Sequence, residues 1–94
     1  MIISFGSKDT KKIWNGEQVK KIPLEIQKIG RRKLRMLNNS QNLMDLRIPP
    51  SNRLEKLTGR LKEYHSIRIN DQWRIVFIWT NNNSYQVTVL DYHK

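Results

Sequence analysis

The chain has 94 residues, 18 Lys and Arg against 8 Asp and Glu, 37% hydrophobic residues and no cysteine. That length supports one domain, residues 1–94, around a single modest core, and the missing cysteine excludes a disulfide framework, a thiolate metal site and a thiol nucleophile. Two histidines with no carboxylate cluster beside them exclude a zinc centre, while a formal charge of +10 points to a polyanion, most simply nucleic acid, or to an acidic protein.

In chain order, Ile2, Ile3 and Phe5 read as a short first strand ending at Gly6. Ser7 is placed to cap a helix over about 8–15 with Ile13 and Trp14 inward, and Gly16 ends it. A second helix starts near Pro23, where the missing N–H costs nothing. Ile22, Ile26, Ile29 and Met36-Leu37 recur along it at helical spacing, and Lys28, Arg31, Arg32 and Arg35 take the polar side. Asn38-Asn39-Ser40 breaks it, and Ser40 is placed to cap a short third helix with Leu43, Met44 and Leu46 inward. Ile48-Pro49-Pro50-Ser51-Asn52 reads as an extended loop, because each proline pushes the preceding residue out of helical space. Leu54 and Leu57 lead to Thr58-Gly59, and a strand begins near residues 61–64.

From His65 to Trp79 the pattern is period two. Ile67, Ile69, Trp73, Ile75, Phe77 and Trp79 are apolar and odd-numbered, with Ser66, Arg68 and Arg74 between them. Asn70-Asp71-Gln72 is the natural turn. A two-residue loop would split the apolar side chains between faces, whereas a three-residue loop over 70–72 keeps them together. The three-residue loop puts Arg68 and Arg74 on the opposite face with Ser66 and Val76. Two guanidinium groups on a rigid surface suit a phosphate; ordinary surface ion pairs are the other reading. Asn81-Asn82-Asn83-Ser84 then turns into a last strand with Tyr85, Val87 and Val89 alternating, which ends at Asp91-Tyr92-His93-Lys94. The expected fold is α+β. A mostly antiparallel sheet of about four strands carries two or three helices on one face, in the order strand, helices, three strands.

Residues 1–62 hold fifteen basic and five acidic side chains, and residues 63–94 hold three of each. The basic excess therefore precedes the hairpin. The opening Met-Ile-Ile-Ser-Phe-Gly has no basic lead-in of the signal-peptide kind, and no apolar run approaches membrane-spanning length. A cytoplasmic protein with no membrane association is expected.

Asp91-Tyr92-His93 is the tripeptide richest in chemistry. An imidazole moves protons near neutrality, a phenol donates or stacks, and a carboxylate orients an imidazole or accepts a proton. A polar tail covering a sheet edge is the plainer reading. His65 is a further proton-transfer candidate, or a core histidine bonded to backbone. With Arg68 and Arg74 these groups suit metal-independent RNA cleavage. In that reaction the ribose 2′-OH attacks its own phosphate, and arginines offset the charge that develops on the phosphoryl oxygens.

Three stretches carry a resemblance: Arg53-Leu54-Glu55-Lys56-Leu57-Thr58-Gly59, His65 through Phe77 with its Asn-Asp-Gln-Trp-Arg turn, and the final Asp91-Tyr92-His93. Together with the Met-Ile-x-Ser-Phe opening, they resemble the HigB toxins of the RelE/ParE superfamily. The Pro-Pro-x-Asn-Arg-Leu loop from Pro49 to Leu54 is similar to the GraT branch. The resemblance implies a sheet of microbial-ribonuclease type and a ribosome-dependent mRNA endonuclease acting in the ribosomal A site. It implies no cofactor, a helix-turn-helix antitoxin of HigA type, operator DNA bound only through that antitoxin, and a toxin that is monomeric alone.

By position, Arg74, Asp91, Tyr92 and His93 match family active-site residues, with Arg68 and Asn70 beside them. Lys20, Lys21, Lys28, Arg31, Arg32, Arg35, Arg60 and Asn70 form the expected RNA- and ribosome-contacting set. Where some HigB toxins carry a histidine and a lysine around the Leu-x-Gly step, this chain has Glu55 and Thr58. That exchange implies weaker proton transfer there, or recruitment of His65. Two other functions fit the composition: a growth inhibitor that blocks its target without cleaving, as ParE siblings do to a topoisomerase, and a plain nucleic-acid-binding module.

Overall fold

The computed structural model describes residues 1–92. Two helices, α1 (Lys8–Trp14) and α2 (Leu24–Asn39), precede four strands: β1 (Glu55–Lys56), β2 (Tyr64–Arg68), β3 (Trp73–Thr80) and β4 (Asn83–Asp91). The strands form one antiparallel sheet in the order β1-β2-β3-β4, with the helices against a single face. This is the α+β arrangement expected.

The hairpin register follows from the odd loop. Ile67 stands opposite Ile75 and Arg68 opposite Arg74, so residues 70–72 form the connection. Asn70 fixes the turn, since its Oδ1 accepts from the backbone N–H of both Gln72 and Trp73 at 2.8 Å. The odd-numbered side chains then face the helices. Ile67, Ile69, Ile75, Phe77, Val87 and Val89 meet Ile13, Ile22, Ile26, Leu34, Leu37 and Leu46 in one buried cluster. At roughly 1.5–3 kcal/mol for each large apolar side chain, that cluster is the main source of stability. Gln27 is buried within α2, and its amide bonds Val19 N, Val19 O and Ile22 O, tying the loop before α2 to the helix.

Several expectations are corrected. Residues 2–5 form two isolated parallel bridges to β4, Ile2 with Ser84 and Phe5 with Val87, rather than a regular strand. The cause lies in β4, where the register slips by one residue opposite Val76–Ile78 and Gln86 takes φ 54°. Ser4 Oγ accepts from Gln86 N at 2.9 Å, patching the interrupted ladder. The same bulge changes which side chains face the core. Val87 and Val89 point to the helices, whereas Tyr85 pairs with Ile78 on the outer face.

The expected third helix is a 3₁₀ turn over Leu43–Arg47, capped by Asn42 through a capping box with Asp45. Ser40 instead closes α2, its hydroxyl donating to Met36 O. The tighter turn buries Leu46 but leaves Met44 half exposed. Gly59–Leu61 is another 3₁₀ turn, so the strand expected from residue 61 begins at Tyr64. Asn81 and Asn82, both at positive φ, make a two-residue hairpin loop, and Asn83 and Ser84 already belong to β4. Among the described residues no helix is long and apolar enough to cross a membrane.

Candidate active site on the outer face of the sheet

Even-numbered residues of β2 and β3 face away from the helices, so Ser66, Arg68 and Arg74 share the outer face, where Ser66 is fully covered by its neighbours. Arg74 is the best-held of them, with a side chain only 13% exposed. Its Nη1 donates to Ser66 Oγ at 2.8 Å and lies 3.1 Å from Glu55 Oε1, and its guanidinium carbon sits 5.5 Å from the Tyr92 ring centroid. Glu55 reaches it because β1 pairs Glu55 directly with Ser66. Directly opposed arginines repel, and here each has an acid. Arg74 has Glu55, and Arg68 bonds Asp71 at the hairpin tip. Asp71 is 98% exposed, so its pair with Arg68 contributes little to stability.

One open pocket is lined by Arg53, Arg68 and Arg74, by the turn residues Asn70, Asp71 and Gln72, and by Tyr92. A second, smaller cleft along Glu55–Thr58 also includes Tyr92, which therefore borders both. The tail is fastened at the turn. Tyr92 N donates to Gln72 O at 2.7 Å, and Gln72 Nε2 donates to Asp91 Oδ2 at 3.1 Å.

The structure brings together Arg68, Arg74 and Tyr92 of the sequence-derived site, with Asn70 at its rim. It separates two others. Asp91 stands opposite Trp73 in the register, which places its side chain on the other face from Arg74. His65 pairs with Phe77 and stacks on its ring at 6.1 Å, also on the helix side. Its Nδ1 is buried without a hydrogen bond, so the backbone bond considered for it is not made. Burial, and secondarily the Lys56 charge, hold its pKa below 6.5. His65 thus stands on the face of the sheet opposite the pocket. His93 lies outside the described residues.

Of the expected RNA-contacting cations, Lys20, Lys21, Lys28, Arg32, Arg35 and Arg60 are exposed. Arg31 is half-buried, its Nε donating to Ile13 O at 2.9 Å and tying α2 to α1. Because α2 packs on the helix side of the sheet, its basic surface and the arginine pocket belong to opposite layers. Asn70 spends its Oδ1 on the turn.

Glu55, Ser66 and Arg53 complete the site and were not singled out as functional from the sequence. β1 is two residues long and shows no periodicity, so nothing local aims Glu55 at Arg74. Only the departure that the resemblance marks at Glu55 draws attention to it. The assembled geometry suits binding of a tetrahedral oxyanion, with a carboxylate beside the guanidinium for proton transfer and a phenol ring for stacking.

Comparison with known proteins identifies the family and the fold. The family model described as "RelE-like toxin of type II toxin-antitoxin system HigB" matches residues 3–93. Toxin HigB-1 of Vibrio cholerae serotype O1 is 47% identical over 73 residues, covering 78% of this chain and 76% of that protein. An uncharacterised protein of Haemophilus influenzae is 42% identical over 67 residues, 71% of this chain and 66% of its own length. A toxin–antitoxin structure, the YoeB–YefM complex from Staphylococcus aureus, superposes with a TM-score of 0.61 at 20% identity, covering 100% of this chain and 99% of that one, and shares its fold. The chain belongs to the RelE-like HigB family of toxins of type II toxin–antitoxin systems.

Proposed function

We propose that this toxin is a ribosome-dependent endoribonuclease that cleaves mRNA in the ribosomal A site. The observation that carries the reading is Arg74, largely enclosed beside Ser66, Glu55 and Tyr92 yet lining a pocket shared with Arg68. The reaction it supports is transesterification. A ribose 2′-OH gives its proton to a base and attacks the adjacent phosphorus, and the 5′-oxygen leaves with a proton from an acid. A 2′,3′-cyclic phosphate and a 5′-hydroxyl result, with no metal required.

Arg74 and Arg68 stabilise the equatorial oxygens as charge builds, where fixed donors contribute most. Glu55 accepts the 2′-OH proton and Tyr92 stacks on a base. The resemblance of the terminal Asp91-Tyr92-His93 implies proton transfer by Asp91 and His93 as well. In this chain Asp91 serves by anchoring the tail to Gln72, and His93 acts as the acid. Lys20, Lys21, Lys28, Arg32, Arg35 and Arg60 dock on ribosomal RNA through contacts that are sequence-independent and salt-sensitive. The toxin acts in the cytoplasm as a monomer, is neutralised by a HigA-type antitoxin and reaches operator DNA through it.

Mapping mRNA 5′ ends after induction, together with cleavage of a message on purified ribosomes, tests the reading. Discrete cuts inside translated frames that require ribosomes support it. Intact message with damaged DNA would instead favour a ParE-like block of a topoisomerase, and binding to free nucleic acid without cleavage a plain binding module.

A further inference from the structure

The pocket holds three guanidinium groups, and they are not equivalent. Arg74 is bonded to Glu55 and Ser66, and Arg68 to Asp71. Arg53 forms no side-chain hydrogen bond or ion pair among the described residues, although it lines the same pocket. Its charge is the one left uncompensated there.

Its placement is nonetheless fixed. Arg53 has φ 45° and ψ 54°, a left-handed conformation that glycine or asparagine adopts at less cost. Asn52 immediately before it is completely buried and uses both ends of its amide. Oδ1 accepts from Lys33 Nζ at 2.7 Å, while Nδ2 donates to Leu46 O at 3.1 Å and Ile48 O at 3.4 Å. Arg53 N itself donates to Pro50 O at 3.0 Å, closing the turn. A buried lysine from α2 and a buried amide therefore clamp a strained turn whose exposed product is one arginine at the pocket rim. Strain retained at a pocket rim, and held by surrounding structure, is a pointer to a ligand.

Lys33 is 7% exposed, and burial, then the charges of Arg32 and Arg68, depress its pKa. Its bond to Asn52 Oδ1 is the contact that holds the buried amine in place.

We propose that Arg53 is a substrate-binding residue that grips an RNA backbone phosphate next to the scissile one, and that Lys33 and Asn52 are the positioning residues that aim it. The inference rests on the nuclease reading and extends it. Arg74, with its carboxylate partner, serves the reacting phosphate, and Arg53 recognises a neighbour that undergoes no chemistry. A non-reacting phosphate is bound alike in ground and transition states, so its loss falls on KM rather than on kcat.

The test uses the intact chain on ribosomes programmed with a defined message. Arg53→Gln is expected to lower kcat/KM about tenfold, carried by KM, and to flatten the dependence of log kcat/KM on log salt by about 0.7, one phosphate contact on a single strand. Arg53→Lys keeps the charge and is expected to restore the salt slope. Asn52→Ala is expected to raise KM as Arg53→Gln does, with the double variant no worse than either single one, since both act through the same contact. Thermal melting identifies an Asn52 variant that does not fold, in which case Arg53→Gln and Arg53→Lys decide the matter. A wild-type chain that cleaves, with Arg53→Gln unchanged in KM and salt slope, overturns the Arg53 assignment and leaves the nuclease standing. A wild-type chain that leaves ribosome-bound message intact overturns both.

Discussion

Glu55 and Arg74 come from strands that do not touch each other, yet their side chains meet 3.1 Å apart across β2. Ser66 lies between them, paired with Glu55 in the backbone register and bonded to Arg74 through its hydroxyl. Glu55→Gln keeps the shape and removes the base, so cleavage is expected to fall roughly 10²-fold or more. Arg74→Lys loses the forked geometry and is expected to cost a similar factor. Glu55 is substantially exposed, so Glu55→Gln is expected to change unfolding free energy by less than about 1 kcal/mol. Single-turnover cleavage beside urea unfolding checks both, and full activity in either variant removes the pair from the mechanism.

His65 makes stability depend on pH. Its folded pKa lies below 6.5, so the unfolded chain binds more protons between the two values. Stability is therefore complete above pH 6.5 and declines as the pH falls through 6.5 toward the lower folded pKa. His65→Phe keeps a ring against Phe77 and removes the unbonded nitrogen. It is expected to flatten this dependence and to raise stability by up to about 1 kcal/mol. Urea midpoints measured on both sides of pH 6.5 decide it, and an unchanged pH dependence in His65→Phe would show that another group is responsible.

Gln72 secures the tail with its carbonyl and its amide side chain. Gln72→Glu sets a second carboxylate against Asp91, so Tyr92 is expected to leave Arg74 and cleavage to drop about tenfold, with partial recovery as acid neutralises one carboxyl. The ring-current shift on the Arg74 Nε–H resonance reports the ring's departure directly. An unshifted resonance in Gln72→Glu would mean that Tyr92 is held by other contacts.

Gly6 runs close against β4. A Cβ there would meet Thr88 Oγ1 and stand 2.9 Å from Gln86 O. Gly6→Ala is expected to destabilise by about 1–3 kcal/mol, and Thr88→Ala to recover only part of that, because the backbone oxygen remains. Urea unfolding of the single and double variants measures both terms.

The hairpin was legible because one arithmetic constraint governs it. Large apolar residues sit at odd positions on both sides of the turn, and only an odd loop keeps them together. That constraint also delivered Arg68 and Arg74 to one face. The bulge at Gln86 was not legible, since a non-glycine residue at positive φ has no marker in the pattern Tyr85, Val87, Val89. It reversed the side on which Tyr85 stands. Glu55 and Arg53 were hidden for a related reason. Each is placed by a two- or three-residue element whose geometry is set by distant partners, Ser66 for one and Lys33 with Asn52 for the other. Strand parity separates Asp91 from Arg74, since Asp91 falls opposite Trp73, and the odd position of His65 already allowed the core placement it takes beside Phe77.

Along the outer side of β4, the amides of Ser84, Val87 and Val89 donate to Met1 O, Ser4 O and Thr10 Oγ1. Protection of these three from solvent deuterium therefore depends on the first ten residues staying docked, not on the ladder to β3. If the leading segment peels away while the sheet persists, Ser84, Val87 and Val89 will exchange together and ahead of the β3-facing amides. Their shared rate would measure how tightly the two extremities of the described chain are joined.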